Sequence, residues 1–145
     1  MPMRPSARTL SMTDRHERGL LDTSVLVALE AIAETSLPVH AAVAAITLAE
    51  LAAGVHVAKD AGERGARLAR LQATEAAFEG LPFDAATARS YGHLVALVMA
   101  AGQSHRPRRM DLMIAATAHS HGLPLYTRNP RDFRAIEKAV TVVVA

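Results

Sequence analysis

Four carboxylates stand where a folded chain seldom tolerates charge: Asp22 in GLLDTS, Glu50 in ITLAELAAG, Asp111 in RRMDLMIAA and Asp132 in YTRNPRDF. Each interrupts or closes an apolar segment. A carboxylate removed from water is costly unless it is hydrogen-bonded, paired or bound to a metal, so carboxylates scattered in this way point to one shared site. A set of oxygen donors suits a hard divalent cation, Mg²⁺ or Mn²⁺.

The elements that would carry these residues follow from the pattern of apolar positions. Residues 19–21 read as a short strand, Asp22-Thr23-Ser24 as a helix-capping junction, and Val25, Leu26, Leu29 and Ile32 as helical spacing. After Pro38, residues 41–46 read as a buried strand, with Thr47 capping a helix over 48–57 that carries Glu50. A helix is expected over 60–79, with Ala61, Leu68, Leu71 and Phe78 on one face and Arg64, Arg67 and Arg70 along another. Residues 81–83 suit a short edge strand, Asp84 a cap for a helix to residue 101, and 102–107 a polar loop. A helix over 108–121 ends at Gly122, a strand covers 123–127, and a β-branched strand covers 141–144.

Strands alternating with helices call for an α/β fold, a parallel sheet covered on both faces, whose ligands gather at the carboxyl ends of its strands. Asp22 and Glu50 follow the first and second strands, and Thr127 to Asp132 follow the strand over 123–127. Asp111 starts the helix leading into that strand, so it can face the same crevice. Singly, each acid has an ordinary explanation: a helix cap for Asp22, a solvent-facing position for Glu50, a complement to the helix dipole for Asp111, a turn for Asp132. Against these, Glu50 has Ile46, Thr47, Ala53 and Gly54 as helical neighbours, and Asp111 shares its stripe with Ile114, Ala115 and Ala118. The histidines give less: His119 and His121 favour a structural or solvated helix end.

The chain of 145 residues, 50% of them apolar, fits a single domain over 19–145. Residues 1–18 are polar and Arg-rich and contain a further Met at 12, so they read as a flexible arm or an over-extended start. Sixteen basic residues against 14 acidic give a net charge of +2, but 14 of the basic residues are arginine, whose fork suits phosphate. The chain has no cysteine, which excludes disulfides and thiolate-bound zinc. No apolar run approaches the ~20 residues that span a bilayer, and the N-terminus lacks the core of a secretory signal, so a cytoplasmic location and no membrane partner are expected.

Over residues 19–144 these landmarks resemble the PIN-domain ribonucleases, specifically the VapC-type toxins of toxin–antitoxin pairs: LLDTSVLV with Asp22, TLAELAAG with Glu50, MDLMIAATA with Asp111, and YTRNPRDF with Thr127, Asn129 and Asp132. The resemblance implies a three-layer α/β/α sandwich and Mg²⁺- or Mn²⁺-dependent endonucleolytic cleavage of single-stranded or looped RNA. It also implies a VapB-like antitoxin clasped by the helical region over 48–79, and a homodimer within a larger complex. Asp22, Glu50 and Asp111 match the family's metal positions; either Asn129 or Asp132 completes the set. Thr23 or Ser24 would steady Asp22 from behind, with Thr127 beside them. Arg108, Arg109, Arg128 and Arg131 flank the two acidic segments nearest the crevice and would hold RNA phosphates. With five aromatic residues in all, extended base stacking is not expected.

Two rivals remain. An Asp-dependent phosphoryl-transfer domain with Asp22 as nucleophile lacks a second acid beside it, and the two lysines, Lys59 and Lys138, are not at strand ends. A catalytically silent PIN-like module that binds RNA or protein would keep the same acids without cleavage.

Overall fold

Leu20 and Leu21 are neighbours in sequence and both are fully buried, which a strand allows only where both faces of its sheet are covered. The computed structural model describes residues 15–145 and bears this out along the sheet. Strands β1 (Arg18–Leu21), β2 (His40–Ala44), β3 (Glu79–Leu81), β4 (Leu125–Thr127) and β5 (Val142–Val144) form one sheet in the order β3-β2-β1-β4-β5. Every pairing is parallel. The helices are α1 (Thr23–Val27), α2 (Ala45–His56), α3 (Ala61–Ala77), α4 (Ala85–Ala100) and α5 (Arg109–Ser120).

Alternate strand residues feed two cores. Leu20, Ala42, Ala44 and Leu125 join Leu94 and Val98 of α4, Leu112 and Ala115 of α5, and Phe133 and Ile136 on one side of the sheet. Leu21, Val43 and Tyr126 join Val25, Leu26 and Leu51 on the other, with Leu71 and Phe78 packed against them. Helices α4 and α5 pair, as do α2 and α3, giving the expected three-layer α/β/α sandwich. The α4–α5 pair also absorbs His119, whose Nδ1 lies 2.7 Å from Ser90 Oγ. Among the described residues no helix is long and apolar enough to cross a membrane.

The chain runs from β1 outward to β2 and β3, then returns to β4 and β5 on the opposite side of β1. The reversal leaves a crevice between the carboxyl ends of β1 and β4, the position at which such sheets bind ligands. Asp22 directly follows β1, and Thr127 ends β4.

Local differences from expectation have physical causes. Helix α1 stops at Val27, and two short 3-10 turns, Leu29–Ala31 and Glu34–Ser36, follow. Three-residue spacing suits a 3-10 turn as well as an α-helix, so Leu29 and Ile32 still reach the core. Helix α2 begins at Ala45 with no side-chain cap, and Thr47 lies inside it. Strand β3 ends before Pro82, which has no N–H to donate; it is the edge strand expected, two residues earlier.

The stripe on α3 divides. Leu71 and Phe78 pack on the protein's own core, whereas Leu68 is 41% exposed. A groove of about 660 Å³ instead runs between the segment from Leu26 to Ala31 and an alanine face of α3 made by Ala66, Ala69, Ala73 and Ala77. At the other end of the chain, Arg15 donates from Nε to the Leu37 carbonyl at 3.0 Å and from Nη2 to that of Pro38 at 3.2 Å. Strand β1 begins at Arg18, the last residue of the arm expected over 1–18, and residues 1–14 of that arm lie outside the described residues.

Candidate active site

Asp22 is 4% exposed and its carboxylate accepts three short hydrogen bonds. Oδ1 caps α1 by accepting the Thr23 amide at 2.9 Å. Oδ2 accepts the Ser24 hydroxyl at 2.9 Å and the buried Thr127 hydroxyl at 2.8 Å. Its own amide donates to the carbonyl of Tyr126 in β4 at 2.9 Å, extending the β1–β4 ladder one residue past the end of β1. The Asn129 amide donates to Thr127 Oγ1 at 3.0 Å and the Arg128 amide to Ser24 Oγ at 3.1 Å. The loop after β4 is thus tied to the residues that fix Asp22.

Thr23 turns the other way. Its hydroxyl contacts Glu50 Oε1 at 3.2 Å and Thr47 Oγ1 at 3.3 Å, linking the start of α1 to α2. The two hydroxyls expected to share one task therefore divide it: Ser24 holds Asp22, and Thr23 holds Glu50. Thr47 is the residue the sequence reading missed, taken as a cap when it is a fully buried prop. Its position three residues before Glu50, hence on the same helical face, was the available signal.

Burial pushes the Glu50 carboxyl above its ordinary pKa; the Thr23 hydroxyl opposes this, and the charges of Asp111 and Asp22 add to it. Asp111, in the first turn of α5, is also raised, by burial first, then by Asp22 and Asp132, with Arg108 opposing. Glu50, Asp111 and Asp22 thus come near enough to feel one another's charge, and Asp132 reaches Asp111. Asp132 is held by Arg108, whose Nη1 lies 2.6 Å from its Oδ1. Arg109, Arg128, Arg131 and Asn129 are exposed around this rim.

A family model described as PIN domain matches residues 19–139. The chain belongs to the PIN-domain family. Ribonuclease VapC5 of Mycobacterium tuberculosis is 39% identical over 129 residues, covering 87% of this chain and 93% of that protein. Ribonuclease VapC of Rickettsia bellii is 30% identical over 133 residues, covering 86% and 95%. The crystal structure of VapBC-5, a member of the VapBC family of toxin-antitoxin systems from M. tuberculosis, aligns with a TM-score of 0.74 at 36% identity, covering 88% of this chain and 97% of that one. A DNA-bound VapBC from Salmonella typhimurium aligns with a TM-score of 0.69 at 25% identity, covering 89% and 98%.

The PIN-domain acids fit a hard cation in donor chemistry and in charge, since three half-buried or buried carboxylates converge and the cost of their mutual repulsion falls when a cation neutralises them. Among the described residues, no group of three or more His, Asp and Glu side chains stands close enough together to hold one ion. Every buried side-chain nitrogen and oxygen among the described residues has a hydrogen-bond partner, so the hydroxyls around Asp22 are committed to orienting it.

Proposed function

We propose that this chain is the toxin of a toxin–antitoxin pair and an endoribonuclease that hydrolyses phosphodiester bonds of single-stranded or looped RNA with the help of Mg²⁺ or Mn²⁺. One observation supports the reading: Asp22, Glu50 and Asp111 come from three separate elements, yet the charges of Asp22 and Asp111 act on Glu50 and that of Asp22 on Asp111. The kinship with the VapC ribonucleases supplies the substrate class.

Asp22 and Asp111 would hold the ion, with Glu50 on its inner side. When bound, the ion supplies neutralisation of charge on the scissile phosphate and a water of lowered pKa. Glu50 orients the attacking water and takes its proton, and the Thr23 contact at Oε1 leaves Oε2 free for the task. Thr127 and Ser24 keep Asp22 aimed while charge redistributes. Arg109, Arg128 and Arg131 hold flanking phosphates at the rim, an affinity that falls with added salt.

The partner protein is a VapB-like antitoxin, as the VapBC-5 complex suggests, seated in the groove between α1 and α3, with the toxin forming a homodimer inside the larger assembly. The decisive experiment sequences the new 5′ ends of cellular RNA after induction of the wild type or of Asp22→Asn. Discrete cleavage sites present only with the wild type, and lost when the purified protein is assayed in EDTA, are expected. Failure to cut any of a broad set of RNAs would leave the silent binding module as the better account.

A further inference from the structure

Arg128 is the first residue after β4, and the peptide units on either side of it are both held by side-chain hydroxyls. Its own amide donates to Ser24 Oγ at 3.1 Å, and the Asn129 amide donates to Thr127 Oγ1 at 3.0 Å. A hydroxyl has one hydrogen to give. Ser24 and Thr127 both give theirs to Asp22 Oδ2, at 2.9 Å and 2.8 Å, so their oxygens, 3.3 Å apart, are left to accept from the loop. Two parallel chains result, each running from a loop amide through a hydroxyl to the same carboxylate oxygen.

A peptide unit is planar, so holding the units before and after Arg128 fixes the direction in which its side chain leaves the backbone. Satisfying the Arg128 amide does not account for this, because that amide lies at the surface, where water serves an N–H as well as a hydroxyl does. Capping does not account for it either: α1 is capped by Asp22 Oδ1, and Asn129 makes no side-chain cap for the 3-10 helix Pro130–Ile136. The guanidinium, meanwhile, is uncommitted. Among the described residues the arginines that pair with carboxylates are Arg67, with Glu63, and Arg108, with Asp132. Arg128 is exposed, its stem starts two hydrogen bonds from Asp22, and its head has no carboxylate partner among the described residues.

We propose that Ser24 is a positioning residue for RNA: with Thr127 it sets the direction of Arg128, so that this arginine meets a phosphate of the strand beside the acidic site. The arginine fork suits phosphate, and a side chain whose stem is aimed before the strand arrives loses less freedom on binding it. The inference rests on the ribonuclease reading. Within that reading it sets Arg128 apart from the other rim arginines and gives Ser24 a task beyond holding Asp22.

The test measures the affinity of a short labelled single-stranded RNA of mixed sequence, in EDTA so that nothing is cleaved and no ion bridges Asp22 to the strand. Arg128→Gln is expected to weaken binding about 3- to 10-fold and to flatten the slope of log affinity against log salt by about 0.7, the share of one phosphate contact on a single strand. Ser24→Ala should weaken binding about threefold, and Ser24→Thr, which keeps the hydroxyl, should stay within about twofold of wild type; added to Arg128→Gln, Ser24→Ala should cost nothing further, as for residues that act as a unit. A Ser24→Ala loss that persists undiminished in the Arg128→Gln background overturns the proposal, because Ser24 then acts without Arg128. Wild-type affinity and slope in Arg128→Gln overturn it too, as does a wild type that binds no RNA. Should Ser24→Ala fail to fold, Arg128→Gln is compared with Arg131→Gln, a second exposed arginine of the rim: a larger loss at Arg128 supports the proposal, and an equal or smaller one overturns it. Cleavage is assayed separately with Mg²⁺. A wild type that cuts no RNA refutes the ribonuclease reading while the binding cycle still reports on Ser24 and Arg128, and a wild type that cuts while the two variants add independently refutes this inference alone.

Discussion

The Thr127 hydroxyl donates to Asp22 Oδ2 at 2.8 Å across 105 residues of sequence. Both groups are buried, so each removes the other's desolvation cost, and the contact locks the carboxyl ends of β1 and β4 together. Thr127→Val keeps the shape and deletes the donor. It is expected to destabilise the fold by about 1–3 kcal/mol, the cost of leaving a buried acceptor short of a partner, and to lower kcat more than it raises KM. A thermal melt and a cleavage assay check the two parts; unchanged values in both would remove Thr127 from the site.

Substituting the acids should separate stability from activity. Asp111→Asn and Glu50→Gln relieve like-charge repulsion and desolvation, so their metal-free melting points should equal or exceed the wild type while cleavage is lost. On repulsion alone Asp22→Asn would behave the same way. Its three acceptor contacts reverse that expectation, because the amide cannot accept at both positions and α1 loses its charged cap. Asp22→Asn should therefore melt lower than wild type, and a higher melting point would show that repulsion outweighs the hydrogen bonds.

The raised pKa values of Glu50 and Asp111 set a pH dependence. Their ordinary values are 4.5 and 3.8. As pH rises from there through the raised values, the native protein must release protons that the unfolded chain has already lost, so these groups withdraw stability across that window. Urea midpoints of metal-free wild type, taken relative to a Glu50→Gln/Asp111→Asn double variant, should fall through the window and then level off. Mg²⁺ binding should weaken as pH falls through the same window and should release protons, readable by calorimetry in two buffers of different ionisation enthalpy. A relative midpoint independent of pH would remove the shifts from the account.

Mg²⁺ and Mn²⁺ should support cleavage and Ca²⁺ should not, although Ca²⁺ should bind. Its larger shell and looser geometry leave water and phosphate less well aligned. Equal rates with Ca²⁺ would mean that the ion does not align the reacting groups.

The groove on α3 gives a partner test that spares the core. Ala73 faces the groove and is exposed, whereas Leu71 packs inward. Ala73→Glu should weaken antitoxin binding by about tenfold or more while leaving fold and cleavage intact, as a desolvated charge at an interface does. Leu71→Glu should unfold the domain. Wild-type antitoxin affinity in Ala73→Glu would place the partner elsewhere.

The parallel sheet and its alternation with helices were legible because they follow from periodicity, and the acids stood out by their apolar surroundings. Leu20 beside Leu21, or Ala42 to Ala44, announces a doubly covered strand, and Asp60 and Asp84 cap α3 and α4 as their sequences imply. What was not legible is set by partners distant in sequence. Thr47 looks like a cap until Thr23 is brought against it, and the contact of Arg108 with Asp132 joins two segments that the sequence keeps 24 residues apart. Helix α1 was read too long because three-residue spacing does not distinguish a helix from a string of tight turns.

The strand order has a consequence in time as well as in space. Asp22 belongs to the first strand made, yet Asp111 comes from the last helix and Thr127 from a strand that is inserted beside β1 only after β2 and β3 have been laid on its other side. A chain emerging from the ribosome therefore carries an unaligned Asp22 until β4 has cleared the exit tunnel and paired. Its acids cannot act together, on the message being translated or on any other RNA, until that pairing has been made.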